Sequence, residues 1–318
     1  MPGLLDKRLI LVLGKGGVGR STVAASIATA TARAGRKTLL FEANAKDRYG
    51  SIFGKPPVGP EITELRENLF AINTTPAAAL EEYGLMILRF RRIYNLVFEN
   101  RITEAFLKAI PGIEDYAILG KVWYHTKETK GRAPVWDTIV FDMAASGHSL
   151  SMLRIPWAIT SAVPEGPLTR DARTIQSVLL DKEQTGIAMV TMAEDMPSNE
   201  AIDLKMQLHD HLGMSVQPLI VNQLYDERFP PDSPQEKILE ILQSESDSNS
   251  ATLSDELRAV TEQAALFQAR RLLNESHIKR LQAAFELPLI PLPRLFVPKI
   301  GVPEIEHFAE LLQAEYGV

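Results

Sequence analysis

Gly14-Lys-Gly-Gly-Val-Gly-Arg-Ser-Thr22 follows the apolar run Leu9-Ile-Leu-Val-Leu13 and leads into an alanine-rich stretch, Ser21 to Ala34, closed by Gly35. The run reads as a buried strand, and the stretch reads as a helix with a glycine just past its end. A glycine turn between strand and helix points backbone N–H groups and the positive helix end at one spot, which suits an anion. Two phosphate-binding patterns share these residues. Gly14, Gly16 and Gly19 satisfy G-x-G-x-x-G, and Glu42, ending the next strand, falls where a dinucleotide fold holds a ribose. Ser21 and Thr22, however, fall where a P-loop places its Mg2+ and phosphate hydroxyls, and Lys15 has no role in the dinucleotide pattern. On the loop alone, a nicotinamide-dependent oxidoreductase competes with an ATP- and Mg2+-binding protein, and the flanking chemistry favours ATP.

Beyond the loop, short apolar runs alternate with helical patterns, the signature of βαβ units. Thr38–Phe41, Leu69–Ile72, Thr138–Phe141, Ile187–Thr191 and Pro218–Val221 are further strand candidates, with Ala158–Val163 and Pro288–Leu292 as weaker ones. Most are continuous rather than alternating, as strands buried on both faces should be. Two helical regions interrupt the alternation. Within Pro76–Lys130, residues Leu85, Leu88, Ile93, Leu96, Val97, Phe98, Ile102 and Phe106 form an apolar face interspersed with arginines. The second, about Ser233–Phe285, opens with a capping box of Ser233, Pro234 and Glu236. Its Ser244–Ser250 segment reads as a polar surface loop. The expected class is α/β, a mostly parallel twisted sheet flanked by helices. It forms one domain over 1–318, with a helical insertion at 76–130 and a second helical segment at 233–285.

Composition narrows the functions. The chain has 318 residues, 45% hydrophobic and 23% charged, as in an ordinary globular protein. A net charge of −6 argues against a nucleic-acid binder, which needs a basic excess against phosphate. No apolar stretch reaches the ~20 residues that span a bilayer, so stable membrane insertion is not expected. The start, Met1 to Arg8, lacks a long apolar segment, and a cytoplasmic location is the expectation. There are no cysteines, which excludes thiolate nucleophiles and Cys-ligated zinc.

The order Gly-Lys-Gly-Gly-Val-Gly-Arg-Ser-Thr resembles the deviant Walker A motif of the P-loop NTPases. A second motif, Asp142-Met-Ala-Ala-Ser-Gly-His-Ser-Leu150, followed by Leu153 and Pro156, resembles the Asp-Thr-Ala-Pro-Thr-Gly-His-Thr-Leu element of the arsenite-pump ATPase ArsA and the guided-entry ATPases that target tail-anchored proteins. A carboxylate at a strand end is suited to a Mg2+-bound water, and the Gly147 loop beyond it to moving with the γ-phosphate. The resemblance implies a homodimeric ATPase using ATP and Mg2+. It implies that Lys15 reaches the partner's nucleotide and that the backbone of Gly16, Gly17, Val18, Gly19, Arg20 and Ser21 cradles phosphate, with Gly14 and Thr22 at its edges. Ser21 and Asp142 would hold Mg2+, and His148 would be a switch residue rather than a base. Asn222 and Gln223 would read the adenine edge, with Pro293, Leu295 and Phe296 folded over the base. The helical subdomain would engage a protein client.

Three departures qualify these implications. Arg20 stands at the usual lysine, keeping the charge and pairing the β- and γ-oxygens with a bulkier fork. Asn44 falls where the family carries the aspartate that orients the attacking water, and an amide cannot take that proton. Glu42 and Asp47 are near enough in sequence to substitute, so slow hydrolysis is expected, with a nearly inactive ATP-binding regulator as the alternative. Without cysteines, thiolate capture of arsenite is not expected.

Overall fold

The computed structural model describes residues 3–43, 45–88, 112–247 and 254–316. Strands β1 (Leu9–Gly14), β2 (Thr38–Ala43), β3 (Thr63–Arg66), β4 (Leu69–Thr74), β7 (Thr138–Asp142), β8 (Thr185–Met192), β9 (Leu219–Leu224) and β10 (Leu289–Pro293) form one sheet. Its order is β10-β9-β8-β1-β7-β2-β4-β3, parallel except where β3 runs against β4 at one edge. A two-stranded ribbon, β5 (Thr129–Lys130) and β6 (Ala133–Pro134), stands apart.

Alternate side chains go to opposite faces of a strand, and here each face builds its own core. Leu9, Leu11, Leu13, Phe41, Phe141 and Met189 pack on one face, and Ile10, Val12, Leu40, Val140 and Val190 on the other. On the second face lie helices α1 (Arg20–Arg33) and, at the end of the chain, α10 (Val302–Tyr316). Because α1 is wedged between the sheet and α10, every residue from Val23 to Ala32 is buried. That position explains its alanine content: small side chains let both neighbours approach the helix axis.

The first face carries α4 (Ile113–Lys127), α5 (Ser146–Ala162), α6 (Pro167–Leu180), α7 (Asp195–Leu212) and the C-terminal part of α9 (Asp255–Phe285). The remaining helices are α2 (Tyr49–Phe53), α3 (Pro76–Leu88) and α8 (Pro234–Asp247). From β1 the chain crosses over α1 to β2, and from β7 it crosses to β8 on the far side of β1. This reversal opens a crevice at the carboxyl ends of the central strands, where open α/β sheets bind their ligands.

The strands expected at Thr38, Leu69, Thr138, Ile187, Pro218 and Pro288 are all present and begin within two residues of those positions. Ala158–Val163 is not a strand: through Ala162 it is the last turn of α5, and Val163 caps it. An apolar run of that length does not distinguish a buried helix turn from a strand. Ser244–Asp247 continues α8 rather than forming a loop, whereas 248–250 lie outside the described residues. The capping box forms with one change. Glu236 N donates to Ser233 Oγ at 3.1 Å, but the Glu236 carboxylate accepts from Asp232 N at 2.7 Å. Of the insertion, α3, α4 and the ribbon are described, and the apolar positions from Ile93 to Phe106 lie outside the described residues.

Candidate functional site

The glycine loop turns sharply out of β1, with Gly14 at φ +156° and Gly19 at φ +91°. Both need to be glycine for steric reasons as well. A Cβ on Gly14 would collide with the Val190 carbonyl oxygen, and one on Gly19 with the Asn222 side-chain nitrogen. Gly19 caps α1 without any side-chain hydrogen bond, and Val23 N is the first donor to bond back into the helix, to Gly19 O. The amides of the first turn are therefore left to an incoming acceptor, at the positive end of the helix.

Asn222, at the end of β9, braces this loop from below. Its Nδ2 donates to Val18 O at 2.9 Å, and its Oδ1 accepts from Gln223 N at 2.9 Å. Gln223 has φ +59° and sits beside Arg294, whose guanidinium lies 3.4 Å from Gln223 Oε1. The same guanidinium lies over the Tyr225 and Phe296 rings. Phe296 is 61% exposed, Pro293 ends β10, and Leu295 packs on the second core. The chain thus offers an aromatic and guanidinium cluster at the ends of β9 and β10, separated from the loop by β8.

On the other side of β1, Glu42 and Asp142 are register partners on β2 and β7, only 2% and 7% exposed. Tyr49, fully buried, donates its hydroxyl to Asp142 Oδ2 at 2.8 Å. Asp142 Oδ1 and Glu42 Oε2 are buried with no hydrogen-bond partner. Burial, helped by the Asp142 charge, pushes the Glu42 carboxyl up to about 8. Burial also raises Asp142, opposed by the neighbouring Ser21 and Tyr49 hydroxyls and by the charges of Arg20 and Arg48. Desolvation, reinforced by the two carboxylates, lifts the Tyr49 phenol well above its ordinary value. Two orphaned carboxylate oxygens beside a serine hydroxyl are a hard oxygen donor set and fit Mg2+. That ion typically takes one or two carboxylates and completes its shell with water and phosphate. Among the described residues there is no cluster of three or more His, Cys, Asp or Glu that would cage a metal alone.

The cations are placed less obviously. Lys15 Nζ is 2.9 Å from Glu200 Oε1 on α7, and Glu200 also accepts from Ser146 Oγ, the first residue of α5, at 3.3 Å. Arg20 turns its guanidinium to the carbonyls of Met143 and Ala144, and burial lowers its pKa. Arg48 Nη1 donates to Ser21 Oγ at 2.7 Å. Asp47 is occupied as a turn former, its Oδ1 accepting from Gly50 N and Val58 N, each at 3.1 Å. Asn44 lies outside the described residues. Gly147 lies in the first turn of α5, and the next residue, His148, places Nε2 3.2 Å from Asp115 Oδ1 on α4. The structure therefore gathers Ser21, Arg20, Glu42 and Asp142 at one point. It adds Arg48 and Tyr49, which belong to neither motif, although they follow Asn44 by only four and five residues in the sequence.

A parallel sheet with a glycine loop running into a helix beside a strand-end aspartate defines a P-loop NTPase of the α/β class. Residues 7–165 and 167–255 match the ArsA_ATPase family, described as anion-transporting ATPase, and the chain belongs to it. It is 27% identical over 323 residues to ATPase BagA of Mycobacterium tuberculosis, covering 96% of this chain and 89% of that one. It is 27% identical over 262 residues to ATPase GET3 of Kluyveromyces lactis, covering 69% and 74%. A Halobacterium salinarum protein provisionally named arsenical pump-driving ATPase is 25% identical over 320 residues; the match covers 95% of this chain but only 44% of that protein. Family membership makes the chain an ATPase and decides between the two patterns that share the glycine loop. No helix among the described residues is long and apolar enough to cross a membrane.

Proposed function

We propose that the chain is a nucleotide-switched homodimeric ATPase that hydrolyses slowly and engages a protein client through its helical subdomain. The observation that carries the nucleotide part is the buried Glu42–Asp142 pair, with its unpartnered oxygens, beside Ser21 at the foot of the glycine loop. Such a pair is costly to keep unless a cation shares it. Ser21 and Asp142 would hold Mg2+ with Glu42 beside them, and the ion would neutralise charge on the β- and γ-phosphates. Amides from Gly16 to Ser21 receive the phosphate oxygens, and Gln223, Arg294 and Phe296 offer donors, acceptors and a ring to adenine.

Slow turnover follows from what stands near the attacking water. Asp47 is tied to Gly50 N and Val58 N. Glu42, with a pKa of about 8, keeps its proton at neutral pH in the nucleotide-free chain. At the position where the resemblance expects the water-orienting aspartate, the sequence has Asn44, whose amide cannot accept a proton. Unfolding followed by fluorescence tests the ligand. At ~100 times Kd, MgATP should add about 2.7 kcal/mol, and NAD or NADP should add nothing. Stabilisation by NAD or NADP and not by MgATP would refute the assignment.

The switch is supported by two contacts. His148 and Asp115 join the first turn of α5 to α4, so movement of the Gly147 segment is passed to the helical insertion. Lys15, about a quarter exposed, is held by Glu200 on the rim of the site and is free to exchange that carboxylate for a phosphate of a second protomer. Lys15→Ala is expected to weaken MgATP-linked dimerisation about tenfold or more, while ATP binding by the monomer changes less. Sedimentation profiles of the native chain that are identical with and without MgATP would remove the basis for this. The client surface is supported by Ile238 and Ile241 on α8 and Val260, Leu266 and Leu272 on α9, all more than half exposed on two helices packed together.

A further inference from the structure

Arg20, the loop cation that opens α1, is already engaged by protein carbonyls. In a P-loop the basic residue before the Ser-Thr pair reaches the outer phosphates, yet Arg20 spends its fork on the carbonyls of Met143 and Ala144, where β7 ends. Those bonds tie α1 to the segment leading into α5 and leave the loop without the charge its sequence advertises. A second arginine stands in its place. Arg48 caps α2 and is itself exposed, yet its Nη1 reaches Ser21 Oγ at 2.7 Å, on the second residue of α1. Its charge acts on Glu42, Asp142 and Arg20 at once, from the exposed edge of the buried ionic cluster.

A neutral serine hydroxyl is a poor final partner for a guanidinium, whose donors match the two oxygens of a phosphate or carboxylate. The hydroxyl takes one of five N–H donors, and the exposure of Arg48 leaves solvent, or an entering anion, access to others. We infer that Arg48 is a phosphate-contacting residue. Its fork passes from Ser21 Oγ to the terminal phosphate of a bound nucleoside triphosphate, freeing Ser21 in the same movement. The work of the loop cation is divided: Arg20 fastens the Met143–Ala144 segment, and Arg48 distinguishes triphosphate from diphosphate. Since α2 follows directly on the segment after β2, the same exchange reports the terminal phosphate to that segment. The inference rests on the glycine loop holding the triphosphate.

Calorimetric titration tests it, comparing the β,γ-imido analogue of ATP with ADP, both with magnesium, on the native chain and on Arg48→Ala, Arg48→Lys and Arg20→Ala. Arg48→Ala should weaken the analogue about 10- to 50-fold and ADP less than threefold, as expected for losing a charge-assisted contact to one phosphate. Arg48→Lys should fall between, because it keeps the charge and loses the fork. Arg20→Ala should weaken both nucleotides alike and lower the unfolding temperature of the nucleotide-free protein. Analogue binding within threefold of native in Arg48→Ala, or an equal loss for analogue and ADP, overturns the role of Arg48 alone. So does loss of the triphosphate preference in Arg20→Ala. A native chain that binds neither nucleotide overturns the loop assignment, and the role of Arg48 with it.

Discussion

Replacing Asp142 by asparagine should cut MgATP turnover by roughly 100- to 1000-fold while raising the unfolding temperature of the nucleotide-free protein. The two effects have one cause. Asp142 ends β7 inside the sheet, paired in register with Glu42, with one oxygen on the Tyr49 hydroxyl and the other unpartnered. Without a cation, its charge is carried in a desolvated place beside a second carboxyl, which is why its pKa is raised. Asparagine keeps an acceptor for Tyr49 and removes that charge, so the empty protein gains. In the proposed Mg2+ site the amide would also remove the anionic ligand beside Ser21, so the working protein loses. Turnover at saturating MgATP, read beside thermal unfolding in EDTA, gives both numbers. Turnover within a few-fold of native would displace Asp142 from the metal position. A lower unfolding temperature would mean the carboxylate is satisfied by contacts other than those described.

Where physics acts through neighbours in the chain, the sequence was readable. The runs at Leu9, Thr138, Ile187 and Pro218 are strands because both faces of the sheet are covered, which makes them apolar throughout. The glycine loop was readable because its conformation requires glycine at Gly14 and Gly19 whatever surrounds them. The failures are of another kind. Short edge elements such as Thr63–Arg66 and the ribbon at Thr129 carry too few residues to show a period. The direction of a long side chain depends on what stands across the crevice. Arg20 occupies the expected position and points to Met143 and Ala144. Asn222 stands where a base reader is expected and holds Val18 O. Arg48 and Tyr49 belong to no motif, because their importance comes from the distance between β2 and α1, and from a pairing of Glu42 with Asp142 that separates them by a hundred positions in the chain.

Glu42 sets the other large effect, on pH. Its carboxyl titrates near 4.5 in an unfolded chain and near 8 in the folded one, chiefly because it is buried and secondly because Asp142 is beside it. Between these values the native state retains a proton that the unfolded state has released, so stability falls as pH rises through the window from 4.5 to about 8. Below that window both states are protonated and the group is neutral in effect. Above it both are ionised and the deficit is complete. The magnitude at pH 8 should be about 2–4 kcal/mol, less than the full shift implies, because a charged Glu42 would draw water and the Arg48 guanidinium toward it. Asp142 is raised by the same burial and titrates as one system with Glu42. Glu42→Gln should therefore flatten most of the curve, and adding Asp142→Asn should flatten more. Urea unfolding in EDTA at intervals from pH 5 to pH 9 measures it. A native curve as flat as that of Glu42→Gln would mean that Glu42 is ionised and paired at neutral pH. It would then be open to serve as the base that Asn44 is not, and the expectation of slow hydrolysis would lose its main support.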